Sequence, residues 1–199
     1  TLRSIRTYLF DEGKDFMLPY LSKDEAENEV IINGVALFHG HSFTGQLLTP
    51  AESTLLLLFM EKKSKKVLLT EQLDKDANVS VSYNVKSVSR KLKLRKEEKV
   101  HADILLELDV EIVDYPPDQL NKQERISFLE IQISKILTEK ADNLFKKLAE
   151  NQSDILGLGR EIIAFYPSIW EEIKGENYYE QILVNPKVKV NVRSGGIVL

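Results

Sequence analysis

The sequence predicts an α+β domain: an antiparallel sheet with a long bulged hairpin, packed by a long amphipathic helix and shorter helices. Three observations carry this expectation. Two strand-like apolar runs, 79–94 and 100–112, flank a charged turn. A helical apolar stripe follows from Asn121 to about Asn151. A final alternating segment, 187–193, closes the chain after shorter helical stretches. Strands, then helices, then a closing strand fit a sheet covered by helices.

The composition sets the bounds. The 199 residues are 43% apolar and 29% charged, with 9 Gly, 6 Pro and no Cys. That much apolar surface offsets chain entropy, so a folded chain is expected rather than a disordered one. The longest apolar run, Leu55 to Met60, is far short of the ~20 residues a membrane helix needs. Without Cys there are no disulfides and no thiolate ligands. The formal net charge of −4 gives no general attraction for nucleic acid or an anionic membrane. The chain begins at Thr1 with no basic stretch leading into an apolar one, so no signal peptide is expected here and the chain reads as a processed form or an excised piece.

Element by element, Leu2, Ile5, Leu9 and Phe10 have helical spacing, with Gly13 as a stop. An apolar knot, Phe16-Met17-Leu18-Pro19-Tyr20, comes next. The polar, acidic segment 22–29 reads as a linker. The expected division is therefore 1–28, the tail of a preceding domain or a packing arm, and 29–199, the main domain. Val30 to Phe38 is β-branched and reads as a strand. Phe43 to Leu48 is its hairpin partner across His39-Gly40-His41-Ser42. Thr49, Pro50 and Glu52 make a capping box with Pro at the first helical position, opening a helix to about Met60. Lys62 to Lys66 reads as a polar turn and Val67 to Leu73 as a strand.

The hairpin's register follows from phase. Val79, Val81, Tyr83 and Val85 are odd-numbered, whereas Val88, Leu92 and Leu94 are even. The partner strand is even throughout, from Val100 to Ile112. A turn at 96–98 pairs Leu94 with Val100 and Val88 with Leu106. Farther out, Val85 must pair with Leu108, which requires a one-residue bulge at 86–88. Lys91, Lys93, Asp103, Glu107, Asp109 and Glu111 then form a solvated outer face. Asn121 is the expected cap of the long helix. Its stripe is Ile126, Leu129, Ile133, Leu137, Ala141, Leu144 and Leu148, widened by Phe128, Ile131, Ile136 and Phe145. A helix from Asp154 to about Tyr166 and a Pro167-led turn to about Ile173 precede the last strand, which Ser194-Gly195-Gly196 bends.

Few residues point to chemistry. His39 and His41 are spaced to share an ion on a strand, but a metal needs three or four converging ligands, and the bland reading is a polar hairpin turn. Gly157-Leu158-Gly159 superficially resembles a dinucleotide loop, yet it lacks the third Gly and the preceding strand. It reads better as close backbone packing at a helix start. Glu171-Glu172 are adjacent on a helix and do not face each other. The basic residues Lys86 to Lys99 lie opposite carboxylates and lack interleaved aromatics, so no nucleic-acid partner is expected. No catalytic residue and no cofactor is expected. The two function classes open on the residues alone are an interaction module and a small metal-dependent enzyme using His39 and His41.

Four segments carry a family resemblance: Phe16 to Tyr20; Ile31 to Phe38 with Gly34 inside it; Asp154-Ile155-Leu156-Gly157-Leu158-Gly159 followed by Tyr166-Pro167 and Trp170; and Val188 to Arg193. In order and spacing they resemble the C-terminal domain of the C subunit, a lipoprotein, of bacterial spore nutrient-germinant receptors, the Ger(x)C family. The closing Ser194-Gly195-Gly196 departs from the Thr-Gly type ending of that family. The resemblance implies a non-enzymatic subunit active in spore germination. It would be held by an N-terminal lipid anchor missing from this chain, on the outer face of the spore inner membrane, with two integral membrane subunits as partners. Gly34, Asp154, Gly157, Gly159, Pro167 and Trp170 carry over as a family motif with a structural reading. Exposed members among Phe43, Tyr178 and Tyr179 are the expected interface anchors, chosen because they fall in probable loops.

Overall fold

A computed structural model describes residues 12–24, 29–62, 66–74, 79–117, 120–175 and 177–194. The expected N-terminal helix, most of the 62–66 turn and the bend after Ser194 lie outside them. The backbone divides into two compact units. The first comprises Thr1–Leu56, Leu94–Ala102 and Asn143–Asn185; the second comprises Leu57–Lys93, Asp103–Asp142 and Pro186–Leu199.

The first unit holds a three-stranded sheet, β1 (Met17–Asp24), β2 (Glu29–His39) and β3 (Ser42–Leu48), in the order β1-β2-β3. Both pairings are antiparallel. The linker expected at 22–29 is partly strand: Ser22 and Lys23 pair with Ile31 and Val30. The polar residues misled because a ladder needs only backbone groups, and a strand exposed on both faces carries no alternation to recognise. Helix α1 (Pro50–Phe59) starts as its capping box requires. Thr49 Oγ1 accepts the Glu52 N–H at 3.3 Å, and Glu52 Oε2 accepts the Thr49 N–H at 2.9 Å. Lys147 pairs with the same Glu52. Burial pulls that carboxyl upward, but the Lys147 ammonium and the Thr49 donors together outweigh it and hold the group below the usual range.

Most residues of the four-stranded sheet, β4 (Leu68–Asp74), β5 (Val79–Lys96), β6 (Val100–Asp114) and β7 (Ile182–Ser194) in that order, belong to the second unit. Burial along β5 shows the expected phase change. Val81, Tyr83 and Val85 are buried, Lys86 and Ser87 are both exposed, and the half-buried positions are then even-numbered. Strand β6 stays in one phase, buried at every even residue from Val100 to Ile112. Two successive outward residues in one strand against unbroken alternation in its partner are what one extra residue produces. The outer face is charged and paired: Lys91 with Glu107 at 2.7 Å, Arg193 with Asp109 at 2.9 Å, and Lys86 with Glu111. The Lys91 hydrogen bond holds Glu107, and the Ser87 and Arg193 bonds hold Asp109, below their ordinary values.

Helix α2 (Gln123–Glu150) runs through residues of both units. The first carbonyl acceptor is Lys122 rather than Asn121, since the Ile126 N–H bonds Lys122 O at 3.2 Å. The expected stripe is buried from Leu129 through Leu148. Phe128 and Ile131 do not widen it. Both are exposed, because they point more than a quarter-turn away from Leu129. Within the second unit, α2 also serves the edge strand β7. The N–H groups of Val192, Val190 and Val188 donate to Glu130 Oε1 (2.8 Å), Ser134 Oγ (2.9 Å) and Thr138 Oγ1 (3.0 Å). Four residues of helix advance about 6 Å and two residues of strand about 6.6 Å, so one helical row can meet every second N–H. Replacing Ser134 and Thr138 together by Ala should cost about 1–2 kcal/mol, read by urea unfolding. A loss no larger than that of Lys135→Ala, on the exposed face, would show that these bonds add nothing over water.

Gly34 in β2 tests the first unit. Its φ is +117°, and a Cβ there would lie 1.9 Å from the Leu48 carbonyl oxygen. Gly45 in β3 has φ +84° but open space around it. Both positions strain an L residue, and only Gly34 adds a backbone collision. Gly45→Ala should cost about 1–2 kcal/mol and Gly34→Ala at least about 3. Equal melting temperatures for the two variants would contradict the close β2–β3 approach.

Candidate functional site

The most concentrated polar chemistry in the first unit is centred on Asp154, which is fully buried. The helix expected from Asp154 begins later, as α3 (Leu158–Phe165). Residues 154–157 form a buried turn that Gly157 completes at φ +76°. Gly157 is thus the N-cap of α3 and not an interior residue. The Asp154 carboxylate takes the place of the acceptors a helix start lacks. Its Oδ1 accepts the N–H groups of Gly157 and Leu158, both at 2.9 Å. Its Oδ2 accepts the Gly159 N–H at 2.8 Å and the Tyr178 hydroxyl at 3.0 Å. Negative charge at a helix N-terminus also suits the helix dipole.

Asp15, itself nearly buried, extends this cluster. Asp15 and Asp154 exchange bonds: the Asp15 N–H donates to the Asp154 carbonyl at 2.9 Å, and the Asp154 N–H donates to Asp15 Oδ2 at 2.8 Å. Asp15 Oδ1 accepts the Gly40 N–H at 2.7 Å, and Oδ2 lies 3.2 Å from His39 Nδ1. The Ser153 hydroxyl donates to the Phe38 carbonyl at 2.7 Å. The Phe38 ring stacks on Phe16 at 4.6 Å and meets Phe43 at 5.7 Å. One network therefore joins the segment just before β1, the β2–β3 turn, the α3 start and Tyr178.

Gly159 supplies the close approach. A Cβ there would sit 2.6 Å from Gly13 Cα, 2.8 Å from Gly13 O and 2.8 Å from Tyr178 Cε2. Gly13 itself has φ +77°, and its carbonyl accepts the Arg160 N–H at 2.9 Å. Gly157 differs: its nearest neighbour is the flexible Lys14 side chain, so its conformation and not its contact favours Gly. Pro167 opens α4 (Pro167–Ile173) at the first helical position. Trp170, buried on α4, meets the Tyr178 ring edge-on at 5.1 Å.

Burial governs the electrostatics. It raises Asp154 to about 6, against the lowering pull of the Gly159, Leu158 and Tyr178 bonds. Burial first, then the charges of Asp154 and Asp15, push the Tyr178 and Tyr179 hydroxyls well above the ordinary range. The Tyr179 hydroxyl is buried without a hydrogen-bond partner among the described residues.

Two of the three expected interface anchors are not surface residues. Tyr178 is 7% exposed and Tyr179 1%, whereas Phe43 is 50% exposed. The tyrosines fall in a 3₁₀ turn, Tyr178–Gln181, that is packed by Trp170 and Asp154. Loop position did not imply exposure, because a turn rich in aromatics has apolar area to bury. His39 and His41 likewise do not come together as a metal centre. His39 is engaged by Asp15, and the described residues contain no group of three or more His, Asp or Glu placed to hold an ion. Residue patterning does not single out Asp15, and it offers Gly13 as a helix stop but not as the partner of Gly159. The available signal was a single carboxylate beside an apolar knot, as with Asp154 before Ile155-Leu156.

Each acceptor position of Asp154 is used by a donor of the fold, so its chemistry is that of a strut. Gly159→Ala should lose about 1–3 kcal/mol although Ala is the better helix former by ~1 kcal/mol. The pH dependence has a definite sign. The folded-state pKa of Asp154 lies above its unfolded value, so the folded state holds more protons between about 4 and 6. The contribution of this group to stability is therefore largest at low pH and is lost as pH rises through about 6. Relative to Asp154→Asn, wild-type stability should be about 1 kcal/mol greater at pH 5 than at pH 7. Urea titrations of both proteins at the two pH values check this; a difference of the opposite sign rejects the buried, proton-retaining carboxyl.

Comparison with known proteins adds the family. The model of the "Spore germination B3/GerAC like, C-terminal" family matches residues 33–196. Spore germination protein KC of Bacillus subtilis (strain 168) is 26% identical over 101 residues, covering 49% of this chain and 25% of the relative. The crystal structure of the GerBC protein superposes with a TM-score of 0.77 at 15% identity, covering 92% of this chain and 57% of that one. The chain thus spans about a quarter of the curated relative and little more than half of the solved one, and its α+β architecture is that of GerBC. With the family model matched from the Gly34 strand to the end of β7, the chain belongs to the spore germination B3/GerAC-like C-terminal family.

Proposed function

We propose that the chain is the C-terminal module of a non-enzymatic C subunit of a spore nutrient-germinant receptor. It acts by presenting surface to the receptor's membrane subunits during germination. The observation that carries this reading is the family match over residues 33–196. The site geometry supports it: the buried polar cluster is spent on bonds within the fold, and no open position remains beside Asp154 for a reacting group. Following the resemblance, the full-length protein is lipid-anchored on the outer face of the spore inner membrane, beside two integral membrane subunits. Residues 1–28 are its arm from a preceding domain, a reading supported by the β1–β2 ladder and the Asp15 bonds. Phe43, exposed at the start of β3, is a proposed contact residue.

The reading is tested by ligand titration of this chain, followed through its amide chemical shifts. Amino acids, sugars and nucleosides should leave the spectrum unchanged up to millimolar concentration. A saturable, localised shift with one nutrient below a millimolar would make this module the sensor and reject the scaffold role. Phe43→Asp in the full-length protein should weaken co-purification with the membrane subunits more than Phe43→Leu does, while both variants keep the far-ultraviolet circular dichroism of the folded chain.

A further inference from the structure

We propose that Asn33–Gly34 is a site of spontaneous covalent modification, where the asparagine converts to aspartate or isoaspartate and the isoaspartate form loosens the outer β1–β2 ladder. Asn33 is the one asparagine of the chain followed by glycine. It is exposed, and among the described residues no group bonds its side chain. The pair also sits where the ladder is interrupted. Pro19 pairs with Val35 and Leu21 with Ile32, two steps along β1 against three along β2. Asn33 and Gly34 therefore stand together opposite Tyr20, as a bulge. Regular extended backbone holds an asparagine side chain away from the nitrogen that follows it, and a bulge releases that geometry.

Gly34 supplies the second condition, and the fold is what keeps it glycine. The Leu48 carbonyl oxygen lies 1.9 Å from where a Cβ would be. Without a Cβ, no side chain on residue 34 shields its own backbone nitrogen. That nitrogen, once a solvent base has taken its proton, attacks Cγ of Asn33. The new N–C bond closes a five-membered succinimide while the Cγ–Nδ2 bond breaks, and ammonia leaves with a proton from water. Water then adds at either ring carbonyl. Opening at one restores the original backbone with an aspartate. Opening at the other gives isoaspartate, whose backbone runs through the former side chain. The conversion consumes one water, releases one ammonia and needs no oxidant or reductant. Both products make the formal net charge of −4 one unit more negative. Isoaspartate also adds a carbon to the main chain between the Ile32↔Leu21 and Val35↔Leu48 pairs. The outer pairs Ile32↔Leu21, Ile31↔Ser22 and Val30↔Lys23 give way to it, because none of their residues is buried.

The test holds the purified chain in warm, mildly alkaline buffer for several weeks. Peptide masses, with fragmentation to place the change, report the gain of about 1 Da that the conversion brings. A methyltransferase specific for isoaspartate labels that product. Position 33 should convert at least about tenfold faster than exposed Asn121 and Asn177, which precede Lys122 and Tyr178. The rate should rise with pH, because the attacking nitrogen must lose its proton. Asn33→Gln, which would have to close a six-membered ring, should block the conversion and keep the wild-type melting curve, because the side chain is exposed. In the isoaspartate form, separated by chromatography, amide exchange at residues 30–32 should quicken severalfold while that of Leu158 and Gly159 stays unchanged. Conversion at position 33 no faster than at 121 and 177 overturns the inference. So does a rate in the folded chain more than about a hundredfold below the rate in urea, which would show that the bulge holds the side chain away from the nitrogen. An isoaspartate form with wild-type exchange at 30–32 rejects the loosening. The chemistry involves this chain alone, so its outcome is independent of the receptor role.

Discussion

The Asp154 carboxylate is the constraint on which the helical part of the first unit depends. Four donors converge on its two oxygens, three of them the backbone N–H groups that open α3. A helix start left without acceptors inside a protein would cost about 1–3 kcal/mol for each stranded N–H. The same residue uses its own N–H and carbonyl to hold Asp15. Asp15 then fixes the Gly40 turn. Two carboxylates joined by reciprocal backbone bonds thus define where three separate segments of sequence meet, residues 13–16, 38–40 and 153–159.

Glycine makes that meeting possible. The Gly13–Gly159 contact leaves no room for a Cβ on either side, and the bond from Arg160 N–H to Gly13 O crosses the same point. Had either residue carried a side chain, the backbones would separate and the Asp15–Asp154 bonds would lengthen with them. The second unit solves a different problem by a related means. Strand β7 lies at the sheet edge, where unpaired N–H groups invite another chain. A polar row on α2, Glu130, Ser134 and Thr138, takes those groups instead. The helix buries its aliphatic stripe and also closes the edge with the row beside it.

How much of this was legible in the sequence depended on which force left a periodic trace. Burial leaves period two or period 3.6. The β5 phase change, the even phase of β6 and the Leu129 to Leu148 stripe could all be read, because a one-residue slip would turn their apolar sets into water. Local capping was equally legible at Thr49 and Glu52, where both partners lie within four residues. The Asp15–Asp154 pair leaves no period and its members stand 139 residues apart, so nothing local connects them. The outer half of β1 has the pattern of a linker because neither of its faces is buried. The exposure of Tyr178 is illegible for the opposite reason: its burial comes with Trp170 and Asp154, partners that a turn sequence does not reveal.

The same geometry argues where function cannot lie and where it must. A catalytic carboxyl needs an acceptor position open to substrate and a partner that moves a proton. Asp154 has neither, since its oxygens are filled by groups the fold cannot release without losing the start of α3. Its raised proton affinity follows from burial, and in this setting it is a consequence of the strut and not a sign of acid–base work. The turn from Asp154 to Gly159 thus marks the rigid part of the first unit. What differs between partners must be read at the surface. Phe43, half exposed, is tied to this rigid part by the Phe16–Phe38–Phe43 ring contacts, and Asp15 fixes the Gly40 turn before it. A surface side chain held by such packing loses little conformational freedom on docking, which is the condition under which a small apolar contact can be selective.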